Sequence, residues 1–298
     1  IKQPPFNTTM MGVISGVAER FGLDLPASCL YGRSGHAFLI NIHQAICPSG
    51  PYCWKYEPFM KLLENCGIRM KGHGFFSGES TPEERAAVEA VLRAELEAGH
   101  PCSILNMDNQ LITGFDRMGF DCVQPWECDF PPSRLSFGSW DEIKDEIHVC
   151  FYSFEKMDLA DTSYAIQSSL LYALDLMENP GEHTQPPYSA GLKAWDTWIE
   201  AVNNGYGKEH GNWWNGQVWG ECRKMASEYC SDIASGYPGC SDTAGELADI
   251  YGRASELLLR ISNREMEDDL RIGLLREACK EEERTVPLLR ELVELIES

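Results

Sequence analysis

Residues 147–176 read IHVCFYSFEKMDLADTSYAIQSSLLYALDL, and the fold turns on what changes inside them. Ile147–Phe154 is rich in β-branched and aromatic residues, the composition of a strand. Ala160–Leu176 reads as a helix instead, and every segment legible after Lys156 is helical. Before this stretch, strands and helices are mixed. That order predicts an α+β domain with an antiparallel sheet over residues 1–155, followed by an all-α helical domain over 156–298. The junction is expected between residues 153 and 162.

Working outward toward the N-terminus, Met10, Ile14, Val17 and Phe21 recur at helical spacing and predict a helix over Thr9–Phe21, ended by Gly22. Ala37–Ile42 and Ile68–Gly72 read as strands, and Tyr56–Cys66 as a helix with Pro58 in its first turn. Thr81, Pro82 and Glu84 carry the spacing of a capping box, so a helix is expected from Pro82 through Ala98, stopped by Gly99. Pro101–Asn106, Leu111–Phe115 and Phe120–Gln124 follow as strands, the last two joined by a hairpin turn at 116–119. Toward the C-terminus, helices are expected over Ala190–Val202, Asn215–Ile233, Thr243–Ile261 and Arg264–Ile296, the last kinked or broken at Pro287.

The chain of 298 residues has 43% hydrophobic and 24% charged residues, ordinary globular usage that is long enough for two domains. Its 46 acidic groups against 25 basic ones give a formal charge of −21. Such a surface repels phosphate backbones and anionic headgroups, so neither nucleic acid nor membrane is an expected partner. No apolar run approaches the ~20 residues of a membrane span. Ile1–Phe6 lacks a basic region followed by an apolar one, so no signal peptide is expected. Twelve cysteines are scattered without a C-x-x-C pair or a zinc spacing. The expectation is free thiols in a reducing cytoplasm. Phosphate and dinucleotide fingerprints are absent, so no cofactor and no metal are expected.

Several short motifs carry a resemblance. Arg20-Phe21-Gly22 ends the first helix, Thr113-Gly114-Phe115-Asp116 ends a strand, and Gln124-Pro125 ends the next. With Ser34-Gly35-His36-Ala37-Phe38 and Gly191-Leu192-Lys193-Ala194-Trp195-Asp196-Thr197-Trp198, this frame resembles the papain-like cysteine peptidase superfamily. It is most similar there to the acyltransferases related to butirosin biosynthesis protein H. The resemblance implies a papain-like first domain with a Cys opening the first helix, a His opening a strand and an orienting Asp before a proline. Thr9, Asp108 and Gln124 stand at those three places. A threonine hydroxyl with an aspartate beside it, at a usual pKa near ~3.9, is no substitute for a thiolate–imidazole pair. The resemblance therefore implies a catalytically silent relative that binds a small molecule or peptide in the relic cleft. Thr9, Ser34, His36, Asp108 and Asn109 are its candidate ligand-binding residues.

Plainer roles exist for each of these. Thr9 suits an N-cap, Asp108-Asn109 a turn between strands, and Gln124-Pro125 the end of a strand. His36 suits either a cleft or a packed interior. Trp195, Trp198, Trp213, Trp214 and Trp219 suit a core or an aromatic pocket. Two further functions stay open: a thiol-dependent amide hydrolase or acyltransferase using Cys29 or Cys53 with His36 as base, and an interaction module built on the helical half.

Overall fold

The computed structural model describes residues 2–77, 79–138 and 149–297. In chain order it runs α1 (Thr9–Phe21), α2 (Ala27–Arg33), β1 (Asn41–His43), α3 (Glu57–Leu63), β2 (Ile68–Phe76) and α4 (Pro82–Glu97). Five strands follow: β3 (Cys102–Asn106), β4 (Asp108–Phe115), β5 (Gly119–Cys122), β6 (Arg134–Ser136) and β7 (Val149–Lys156). The remainder is α5 (Thr162–Glu178), β8 (Tyr188–Ala190), α6 (Leu192–Ala201), α7 (His210–Gly236), α8 (Ser241–Ile261) and α9 (Asp268–Glu297). The chain forms two compact units, residues 1–25 with 67–159 and residues 26–66 with 160–298.

The first unit is a six-stranded sheet in the order β2-β7-β3-β4-β5-β6, antiparallel at every pairing. Alternation along its strands puts Ile104, Ile112, Phe120 and Phe151 into one core with Val88 and Leu92 of α4. The capping box forms as read: Thr81 Oγ1 accepts from the Glu84 N–H at 3.2 Å, and a Glu84 carboxylate oxygen accepts from the Thr81 N–H at 2.7 Å. α1 also keeps its expected bounds, with Gly22 at φ 67° closing it. Its Met10, Ile14 and Val17 are buried, which favours the fold by about 1.5–3 kcal/mol per side chain.

The second unit is helical apart from β1 and β8, which pair with each other antiparallel, Ile42 opposite Ser189. No strand from this part of the chain enters the six-stranded sheet among the described residues. Its core holds Trp195, Trp198, Trp219, Tyr251 and Phe38, all fully buried. The first unit ends at Leu159, inside the expected junction, but it is not a continuous 1–155. Residues 26–66 belong to the helical unit because their partners are there. The Gly32 Cα lies where an added Cβ would stand 2.2 Å from the Tyr229 ring, and Arg223 donates to the carbonyls of Ala37 and Leu39.

Other differences have local causes. Ala37–Ile42 is not one strand: His36–Phe38 turns as a 3-10 helix before β1 begins. Asp108 and Asn109 lie inside β4 rather than in a turn, since the reversal is made by Met107 alone at φ 61°. α7 starts at His210, so the tryptophans near 213 are its first turns. α9 continues through Pro287. Ile147 and His148, expected to begin the last strand, lie outside the described residues.

Candidate functional site

Thr9 is the first residue of α1, with Thr8 rather than Thr9 in the capping position. Its side chain turns away from the helix end toward β4. The hydroxyl accepts from the Asn109 backbone N–H at 3.0 Å and from Asn109 Nδ2 at 3.3 Å, and donates to Asp108 Oδ1 at 3.4 Å. Thr9 and Asn109 are each 1% exposed, whereas Asp108 is half-buried. Three of the five candidate residues therefore meet at one point of the first unit. Asn109 Oδ1 is buried there without a hydrogen-bond partner. That makes it an acceptor with spare capacity beside a carboxylate.

Gln124 does not join them. Its Nε2 donates to the carbonyls of Cys128 and Pro131 at 2.6 and 3.1 Å, closing the loop after β5. A glutamine that sequence reasoning passed over is closer to the site. Gln3 Nε2 donates to the Asn109 carbonyl at 2.8 Å and its Oε1 accepts from the Leu111 N–H at 2.9 Å, so it clamps the strand on which Asp108 and Asn109 sit. It stands six residues ahead of Thr9, in a stretch with no periodicity to mark it. The described histidines of this unit are engaged away from Thr9, His73 with Ser153 Oγ and His100 with Glu95.

Ser34 and His36 belong to the second unit. Ser34 Oγ donates to the Tyr31 carbonyl at 3.2 Å and closes α2. His36 is 1% exposed, ringed edge-on by Tyr31, Trp54 and Phe59, with Nδ1 at 3.6 Å from Cys222 Sγ. Burial, and secondarily Arg223, lower its pKa to about 4, so it is a neutral packing histidine at ordinary pH. The thiol bonded to it is that of Cys222, not Cys29 or Cys53. Burial also pushes the Cys29 thiol up, the reverse of an activated nucleophile. Trp195, Trp198, Trp214 and Trp219 are buried in packing, Trp198 and Trp219 donating to Asn212 and Asn215 beside them, while Trp213 is half-buried.

All twelve cysteines are free thiols. Among the described residues no group of three or more His, Cys, Asp or Glu side chains could hold a metal ion. No described helix is long and apolar enough to cross a membrane. A cleft of about 250 Å³ in the first unit is lined by Arg20, Leu96, His100, Pro101, Ile112 and Thr113, and not by Thr9, Asp108 or Asn109. No family model matches the chain, and no curated protein matches it.

Proposed function

We propose that the first unit is a papain-like domain, akin to the butirosin biosynthesis protein H-like acyltransferases, whose catalytic positions have been replaced and which binds a small molecule or peptide without turning it over. The observation that carries this reading is the state of the Thr9 hydroxyl. It is buried, it is engaged by the Asn109 amides and the Asp108 carboxylate, and among the described residues no imidazole is bonded to it. A nucleophile needs a competent base and an open approach for substrate; Thr9 is 1% exposed and the basic neighbour bonded to it is the weakly basic Asp108 carboxylate at 3.4 Å. The spare acceptor at Asn109 Oδ1 beside half-buried Asp108 supports ligand binding at the same place.

The test is a panel of peptide and thioester substrates, each run with and without iodoacetamide. Wild-type protein is expected to give no turnover on either arm. Thr9→Cys alone is expected to stay silent, because the neighbouring Asp108 carboxylate raises a thiol's pKa. Thiol-dependent turnover by the wild type would overturn the reading and restore Cys29 or Cys53 as candidates. Turnover insensitive to the reagent would overturn it as well, and would point to Thr9 itself.

A further inference from the structure

Three arginines are buried in the second unit, and their surroundings differ sharply. Arg223, 0% exposed, spends Nε and Nη2 on the Glu282 carboxylate and Nη1 on the carbonyls of Ala37 and Leu39, at 3.0 and 2.9 Å. Arg271 is bonded to the carbonyls of Ile261, Asn263 and Met266 and to the Asp268 carboxylate. Arg33, 8% exposed, has one bond, Nη2 to Thr162 Oγ1 at 3.3 Å. Its Nε is buried without a partner, and among the described residues no carboxylate lies within ion-pair distance of it.

A guanidinium does not shed its proton inside a protein, so its charge must be met by an acceptor. Among the described residues no carboxylate is hydrogen-bonded to it. Cys29, one turn earlier on α2, and Cys66 and Tyr229, which share this neighbourhood, are all driven toward their neutral forms by burial. Asp232 accepts from Ser28 Oγ at 3.1 Å. The last carbonyls of α2 contribute only partial charge. Among the described residues Nη1 carries no protein bond and Nη2 only one, so the Nη1–Nη2 edge keeps a planar pair of donors matched to two oxygens of one external group.

We propose that Arg33 anchors an oxyanion site in the second unit, taking the carboxylate or phosphate group of a ligand on its Nη1–Nη2 edge, with the Thr162 hydroxyl beside it. The site is independent of the Thr9 region and of any activity there.

The experiment follows thermal unfolding of the full chain in phosphate, acetate or chloride at matched ionic strength, for wild type, Arg33→Met and Arg33→Lys. In the wild type the midpoint should rise with the logarithm of phosphate or acetate concentration and not with chloride, as linkage to a native-state site requires. The stronger of the two anions identifies whether a phosphate or a carboxylate is preferred. Arg33→Met should lose that dependence while unfolding, without added anion, no earlier than the wild type, because a buried unpaired charge is gone. If Arg33→Met does not fold, Arg33→Lys carries the test. Its ammonium cannot grip two oxygens, so half-saturation should move to at least about tenfold higher anion concentration. A wild type as indifferent to phosphate and acetate as to chloride overturns the proposal. So does an anion response unchanged in the variants.

Discussion

The Thr9 hydroxyl of the first unit and the Arg223 guanidinium of the second are both buried, and each ties a helix to a segment far away in sequence. They do so by different physics. Thr9 holds β4 through hydrogen bonds to neutral amides, with one carboxylate at the long distance of 3.4 Å. Arg223 holds α9 through a fully buried ion pair with Glu282 and holds the segment before β1 through two carbonyls. The contrast lies in what remains when one partner is removed. An orphaned amide is a modest penalty, whereas an orphaned charge in a dry interior is a large one.

The sharpest way to break this contrast is Glu282→Leu. It should destabilise the chain by about 3–5 kcal/mol in urea unfolding, because Arg223 is left charged and buried. The double variant Arg223→Met/Glu282→Leu should recover most of that loss. A single-variant loss below about 1 kcal/mol would mean the pair is wetter than its burial implies. His36 gives the next effect and works through pH. Its folded pKa near 4 lies below the unfolded value of about 6.5, so the stability it contributes is complete above pH 6.5. That contribution should drain away as pH falls toward 4, by about 3 kcal/mol in all. His36→Phe should flatten this part of the stability–pH curve; an unchanged slope would show that another group carries it. Thr9→Ala should be the mildest, about 1–2 kcal/mol, from the Asn109 N–H left without its acceptor. Thr9→Ser, which keeps the hydroxyl, should lose less, and equal losses would remove the hydrogen bond from the account.

Where the sequence was readable, local chemistry decides the structure on its own. The capping box at Thr81 and the Gly22 stop are set by residues within four positions of one another. α2 was missed because seven residues, ASCLYGR, are too few to display a period. Asp108 and Asn109 were open to a turn reading because both residue types favour turns, yet the reversal falls on Met107, a bulky side chain in a left-handed conformation. The approach of Thr9 to Asp108 was legible only through the resemblance, which set both residues at places that meet in the related frame. The environment of His36 did not follow, because Tyr31, Trp54, Phe59 and Cys222 come together only through the tertiary fold. Arg33 raises the same difficulty: its isolation is a property of absent neighbours, which no sequence window contains.

The division of residues 26–66 from the segments on either side has a consequence for how the chain is made. Translation delivers Tyr31 and Phe38 early, yet the helices carrying their partners Glu221, Tyr229 and Tyr251 belong to residues 160–298. At about 5–20 residues per second, the ribosome takes on the order of ten seconds to travel from residue 66 to the first of those helices. Over that interval the strands that complete the first unit emerge, while an apolar stretch encoded between its two parts waits unsatisfied. A nascent chain with this gene order has a window for holdase capture that a circular permutant starting near residue 67 would shorten.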